Sequence, residues 1–340
     1  MIPNSISQWR KKALNPFIFE KVKVSSDKKS LQTESESFLL VNTKPSSNDH
    51  LPFPKDFTFE SCLLPTRFKE FADKIRNFKV KKDDVWILSY PDSGTTWVQN
   101  IVWQLKHGID QTKEPISSSD ALYLDGEFFV DSPNEVARKN LSSKFENSLE
   151  RVDNEPSPRI IISHLPPNLL PVDLWTIRPK IIYIARNPKD VAVSMFHMLR
   201  DDFKHFSGTI EEYLNLFLEE RNWYAPFFAH CTSFWQLRNE NNFLFLSYED
   251  VMADRFKGVK RVSEFLHCSN VKHELKLLND YLPFENTQIG CKGADQDSNN
   301  RSYRERKLSG FKDEMSEEFI KKFDEWTASK LKDSDFKFNV

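Results

Sequence analysis

Cysteine is sparse and scattered. The four thiols, Cys62, Cys231, Cys268 and Cys291, stand far apart in 340 residues. They form neither a metal-ligand spacing nor a redox pair, so free thiols in a reducing compartment are expected. An excess of charge of one sign is also missing. With 48 basic against 50 acidic side chains, the formal net charge of -2 gives no general attraction to nucleic acid or other polyanions. No apolar run approaches the roughly 20 residues that span a bilayer. The chain reaches Arg10-Lys11-Lys12 without the apolar stretch of a secretory signal. No repeat recurs. These absences lead to the expectation of a cytoplasmic protein with no bound metal and no nucleic-acid or membrane partner.

Apolar residues make up 39% of the chain and phenylalanine alone contributes 29 side chains, enough for a large core. The length allows one large α/β domain or two smaller ones. Residues 1–50 are polar and irregular, with loop composition at Asp27-Lys28-Lys29-Ser30 and from Thr43 to Asp49. Two short edge strands are expected there, at Phe17–Val22 and Phe38–Val41. This stretch is assigned as an N-terminal extension and residues 51–340 as the folded domain.

From Leu51 onward, strand and helix patterns alternate. Phe68, Phe71, Ile75 and Phe78 share one face of a helix over Arg67–Phe78. Continuous apolar runs at 85–90, 159–164, 180–186 and 243–248 predict buried strands of a parallel sheet. The stretch from Pro115 to Asn154 is mixed and charged and carries no clear period. A single-domain α/β fold follows, with four to five parallel strands at its centre and helices on both faces. Ligands in such folds bind beyond the strand carboxyl ends. Here those ends carry the Asp92–Thr96 loop, His164, Arg186 and Tyr248.

The loop Tyr90-Pro91-Asp92-Ser93-Gly94-Thr95-Thr96-Trp97 lies between a strand and an amphipathic helix. Gly94 lets the backbone approach a ligand, and the first-turn amides and helix dipole favour an anion. The hydroxyls of Ser93, Thr95 and Thr96 add donors. Arg186-Asn187-Pro188-Lys189-Asp190 opens a second helix, with Asn187 as cap and Pro188 in the first position. Arg186 and Ser194 bracket it and suit a phosphate. Taken alone, it is equally an ordinary helix start, just as His164 alone is equally a structural histidine.

Taken in order, these motifs resemble those of the cytosolic sulfotransferases. The resemblance covers roughly residues 51–340. It implies a P-loop-like phosphosulfate-binding loop over Ser93, Gly94, Thr95 and Thr96. It implies 3′-phosphoadenosine 5′-phosphosulfate (PAPS) as co-substrate, its 3′-phosphate held by Arg186, Ser194 and Arg304. Trp97 and Phe284 match the residues that sandwich adenine, and Tyr248 matches a nucleotide contact. His164, in Ser163-His164-Leu165-Pro166, matches the catalytic base. The implied reaction is sulfuryl transfer to a hydroxyl or amine of a small apolar acceptor: a phenol, a sterol or another alcohol. Phe53, Phe57, Phe128, Phe129 and Phe196 are candidates to line its entrance and, equally, to be core residues.

Departures from the family pattern are specific. Asp92 occupies the position of the loop lysine. A carboxylate about 4 Å from a sulfuryl oxygen is repelled by about 4 kcal/mol at an effective dielectric near 20. The closing loop reads Arg304-Glu305-Arg306-Lys307-Leu308-Ser309-Gly310-Phe311-Lys312, with Glu305 for a lysine, Arg306 for a glycine and Phe311 for a tryptophan. At the family's dimer motif, Glu317 replaces a valine and Lys321 an acid, which leaves the oligomeric state open. Three readings follow: a slow or specialised sulfotransferase, an alcohol dehydratase acting through a transient sulfate as in some insect relatives, or an inactive homologue that binds a nucleotide or small apolar ligand.

Overall fold

A computed structural model describes residues 15–22, 38–108, 121–130, 134–268, 275, 276, 278 and 309–338. The chain begins with strands β1 (Phe17–Lys21), β2 (Phe38–Thr43) and β3 (Cys62–Pro65), followed by helix α1 (Phe68–Arg76). Next come β4 (Val85–Ser89), α2 (Thr95–His107), β5 (Leu122–Tyr123), α3 (Glu135–Phe145), α4 (Ser148–Asn154) and β6 (Ile160–Ser163). Then follow α5 (Val172–Ile177), β7 (Lys180–Ala185), α6 (Pro188–His197), α7 (Ile210–Leu218), α8 (Phe227–Trp235) and β8 (Phe243–Ser247). The described helices end with α9 (Tyr248–Ala253), α10 (Arg255–Phe265) and α11 (Glu317–Lys330).

Five strands form a parallel sheet in the order β5-β6-β4-β7-β8. Every residue of β4 and β6 is buried, and β7 is buried beyond Lys180. That is why these segments read as continuous apolar runs: both faces are covered, so neither face has a polar alternate. Helix α2 packs on β4 and β6 and against α10, while α6 packs with α7 and α11. Register aligns the strand ends. Val85 lies opposite both Ile160 and Lys180, and Ile181 lies opposite Phe243. The carboxyl ends therefore share one rim, and the chain leaves β4 first to one side of the sheet and then to the other. The switch point lies at the end of β4.

The expected edge strands near the N-terminus form β1 and β2, which pair antiparallel with each other and with β3. This small sheet is fastened to the rim. Asn168 donates from Nδ2 to Asn42 Oδ1 at 2.9 Å and to Thr43 Oγ1 at 3.2 Å. The backbone amides of Leu63 and Tyr224 donate to Ala225 and Leu63 carbonyls at 2.8 and 2.9 Å. Among the described residues no helix is long and apolar enough to cross a membrane.

At the opposite, amino end of the sheet, Arg159 and Asp84 form a bidentate pair. Nε–Oδ1 is 2.8 Å and Nη2–Oδ2 is 2.7 Å, with both side chains fully buried. Arg159 also donates to the Lys79 and Val152 carbonyls and lies over the Phe78 ring at 5.0 Å. Removing one partner leaves a buried charge unpaired. Arg159→Ala is expected to lower unfolding stability by about 3–5 kcal/mol. Replacing both residues with apolar ones is expected to cost less. Urea unfolding of the single and double variants measures the difference; equal losses would show that the pair is not the cause.

Candidate active site at the strand carboxyl ends

The anion loop follows β4. Gly94 caps α2 in the left-handed region at φ 106°. A Cβ there would lie 2.8 Å from the Tyr248 ring and 3.2 Å from Ile184. Backbone conformation and space both require glycine. The first-turn amides of α2 have no partner within the helix and point beyond the sheet. Ser93, Thr95 and Thr96 are buried beside them. Trp97 is buried at the same helix start, its ring edge against Gly258.

Arg186 ends β7 and is nearly enclosed. Its Nη1 donates to the Asp92 carbonyl at 2.9 Å, and its guanidinium lies 4.4 Å above the Tyr248 ring. Its Nε is buried and unpartnered. A buried donor without an acceptor is costly, and an anionic ligand would relieve it. The turn after it is held by Glu249, whose Oε1 accepts the Asn187 amide at 2.7 Å. Burial pushes the Glu249 carboxyl up, and that hydrogen bond draws it partly back. Asn187 caps α6 by accepting the Lys189 amide, with Pro188 in the first position, so this segment is a capped helix start as well as a cation site. Ser194 is half-buried on α6. The Phe311 amide donates to Asp190 at 3.1 Å, and its ring lies under the Lys189 ammonium, which also pairs with Asp324. Phe284 and Arg304 lie outside the described residues.

His164 ends β6, next to β4. Its Nδ1 is 2.9 Å from the Ser89 carbonyl. A carbonyl only accepts, so Nδ1 carries the proton and Nε2 is left as the lone-pair nitrogen. The Ser89 hydroxyl lies 3.3 Å from the same Nδ1 and 3.2 Å from Thr95 Oγ1, linking the histidine to the anion loop. The His164 amide donates to Asp125 Oδ2 at 3.0 Å, and the Tyr224 hydroxyl donates to the same oxygen at 2.9 Å. Burial pushes the Asp125 carboxyl up; His164 and the two donors draw it back. The His164 carbonyl accepts from His230 Nε2 at 3.0 Å, and Tyr183 donates to His230 Nδ1 at 2.9 Å. Burial pushes His230 down to about 3, so it stays neutral.

A cavity of about 40 Å³ joins the loop and the histidine. It is lined by Asp92, Gly94, Thr95, Thr96 and His164 on the polar side and by Tyr123, Phe129, Phe145, Met198 and Phe203 on the apolar side. A larger open groove of about 540 Å³ runs past Leu122, Asn147 and Arg151, away from every strand-end group, so chemistry is assigned to the smaller cavity. Of the five phenylalanines expected at the entrance, only Phe129 lines that cavity. Phe53 and Phe57 cluster with Phe59, Phe128 packs on Phe68, and Phe196 packs on Phe206 and Tyr213. Core packing explains Phe128 and Phe196, and Phe53 is partly buried against the core. Tyr123, Phe145, Phe203 and Asp125 come from segments without a clear period and gave no signal. Among the described residues no group of three or more His, Cys, Asp or Glu side chains is placed to hold a metal.

Asp92 is the exception in the polar rim. It adopts φ 58°, and its Oδ2 is buried without a partner. The Asp202 carboxyl is pushed up to about 6, by desolvation first and by the Asp92 and Asp201 charges next.

Comparison with known proteins matches residues 82–335 to the family described as "Sulfotransferase domain". Human sulfotransferase 4A1 is 32% identical over 234 residues, 67% of this chain and 75% of that protein. Luciferin sulfotransferase of Photinus pyralis is 28% identical over 313 residues, 84% of this chain and 82% of that protein. Among solved structures, retinol dehydratase in complex with retinol and PAP superposes with a TM-score of 0.78 at 24% identity, over 95% of this chain and 99% of that one. Mouse sulfotransferase SULT7A1 complexed with PAP gives a TM-score of 0.62 at 25% identity, over 82% of this chain and 95% of that one.

Two outcomes are expected. Gly94→Ala strains the loop and drives a methyl group into Tyr248, so about 1–3 kcal/mol of stability should be lost in urea unfolding; unchanged stability would show that the loop yields without strain. His230 takes a proton near 6.5 when unfolded and only near 3 when folded. Stability therefore falls as pH drops below about 6.5, and His230→Gln should flatten that part of the profile. Parallel slopes in urea melts across pH would contradict this.

Proposed function

Because the chain belongs to the sulfotransferase domain family, we propose that it transfers the sulfuryl group of PAPS to a hydroxyl of a small, largely apolar acceptor. One observation carries the reading: the anion loop and the free Nε2 of His164 line a single cavity. Bound PAP in compared structures supports the same nucleotide here. In this reading the loop amides with the Ser93, Thr95 and Thr96 hydroxyls receive the 5′-phosphosulfate. Arg186 and Ser194 receive the 3′-phosphate, with Arg304 on the closing loop. Trp97, Tyr248 and Phe284 hold the adenosine. Residues 51–340 form the transferase unit and residues 1–50 an extension whose strands buttress it.

His164 Nε2 takes the acceptor proton as the acceptor oxygen bonds to sulfur and the bond from sulfur to the bridging phosphate oxygen breaks. The Ser89 carbonyl keeps the second ring nitrogen protonated, so the free one stays directed at the cavity. Asp125 and His230 grip the His164 backbone from opposite sides and leave the ring as the only part that needs to respond. Among the side chains that line the cavity, unbranched Met198 is the most adaptable to an acceptor.

Asp92 sets the rate expected with a neutral acceptor. A missing transition-state donor costs about 10²–10³ in rate, and an anion in its place costs more. The same residue supports a second reading, a binding protein that holds nucleotide and ligand without transfer. Two variants decide between them. His164→Ala should lower the single-turnover rate by about 10²–10⁴ while nucleotide affinity stays nearly constant. Loss of affinity along with rate would make His164 a structural residue. Asp92→Lys should raise sulfation of neutral phenols by at least about 10², and no gain would favour the binding protein.

A further inference from the structure

Helix α6 opens just after Arg186 and ends at the cavity wall, and the segment from Gly310 to Glu314 braces it at both ends. At its first turn Asp190 accepts the Phe311 amide, and the Lys189 ammonium lies over the Phe311 ring. At its last residue, His197 Nε2 is 2.6 Å from Glu314 Oε2. The other ring nitrogen, Nδ1, is 3.0 Å from Asp201 Oδ2. Directly after His197 the chain enters a π-helical turn, Met198–Asp202, a local form common at functional sites. Met198 begins that turn and Phe203 follows it, and both line the cavity that holds His164. The cavity wall and the His197 cluster are therefore built on one turn.

An ionised carboxylate only accepts, and a neutral imidazole has a single N–H. Both contacts of His197 form together only when the ring is an imidazolium with two N–H donors. The charges nearby agree. Arg200 and Asp201 face His197 from its own turn, and Glu314 faces it from the bracing segment. Arg200 donates to Asp201 from Nε at 2.7 Å and from Nη2 at 2.9 Å, and its Nη2 lies 3.5 Å from His197 Nδ1. Desolvation pushes the Asp201 carboxyl up, but the hydrogen bonds from Arg200 and His197 more than offset it and leave it lowered. Two cations then balance two carboxylates, and loss of the His197 proton leaves the negative charge in excess. The His197 and Glu314 side chains are only 28% and 27% exposed, so water screens this imbalance incompletely. The other helices packed on α6 bring Asp324 of α11, which pairs with Lys189 at the far end, and Tyr213 of α7, which packs on Phe196. Asp202, at the end of the turn, has Lys144 and Lys204 beside it.

We propose that His197 is a positioning residue for the acceptor: as an imidazolium it clasps Glu314 to the π-helical turn and holds Met198 and Phe203 in place as the cavity wall, and on losing its proton it frees that wall. The proposal rests on the sulfotransferase reading of the cavity. It divides the pH dependence between two histidines. His164 takes the acceptor proton as a neutral ring and acts on kcat. His197 holds the wall as a charged ring and acts on the acceptor KM.

Carbon-13 NMR of the Met198 methyl group, assigned by its loss in Met198→Leu, reads the wall without requiring turnover. The full chain, His197→Gln, Glu314→Gln and the double variant are compared at about pH 6 and about pH 8, between which a histidine changes charge. His164 is present in all four proteins, so its own titration cancels. Near pH 6 either substitution should move the Met198 signal, and the double variant should move it no further. Near pH 8 the signal of the unsubstituted chain should already lie with those of the variants. One shared signal near pH 6, or the same displacement with pH in all four proteins, overturns the proposal. With PAPS and 2-naphthol, His197→Gln should raise the acceptor KM about threefold or more near pH 6, the scale of one partly exposed ion pair. Near pH 8 it should leave KM unchanged, and kcat and affinity for adenosine 3′,5′-bisphosphate should stay nearly constant at both. Turnover with an unchanged KM near pH 6 overturns the positioning role and leaves the transferase reading intact. Absence of turnover in every protein counts against the transferase reading, and the Met198 signals then decide the clasp by themselves.

Discussion

A single hydrogen bond, from Nδ1–H of His164 to the Ser89 carbonyl at 2.9 Å, ties together the ends of two adjacent parallel strands. It fixes which ring nitrogen is free and keeps the imidazole beside the anion loop. The bond is possible because β4 and β6 are in register, Leu88 opposite Ser163, so that each chain leaves the sheet at the same height. The buried Arg159–Asp84 pair spans the same two strands at their other ends. Geometry at the rim thus depends on register along the whole strand pair.

The surroundings of His164 are neutral or hydrogen-bonded, but the loop opposite carries an unbalanced charge. Arg186 donates to the Asp92 carbonyl, and the Asp92 charge helps to push the Asp202 carboxyl up. Donors gather around Arg186 and the α2 amides, which suits an anion, while Asp92 lines the same cavity as His164.

Continuous apolar runs made the four longer strands of the main sheet legible in the sequence, because a strand buried on both faces has no polar alternate. Strand β5 was not legible, being two residues long and embedded in a charged stretch. The anion loop, His164 and Arg186 were legible because each follows such a run directly. Asp125, Tyr224 and His230 were not. They act on His164 through its backbone from distant parts of the chain, and only the tertiary fold brings them within hydrogen-bond distance. The cavity's aromatic lining was left undecided between lining and core for a similar reason. In a chain with 29 phenylalanines, composition cannot separate a core ring from a lining one.

The account stands on the protonation pattern of one imidazole. Nitrogen-15 NMR of histidine-labelled protein, with His164 assigned by loss of its signals in His164→Gln, reads that pattern directly. For the neutral form of the ring, the account predicts the proton on Nδ1, with Nε2 at the chemical shift of an unprotonated nitrogen. A proton on Nε2 of the neutral ring would contradict it, because that nitrogen would then face the cavity as a donor and could not take a proton from the acceptor.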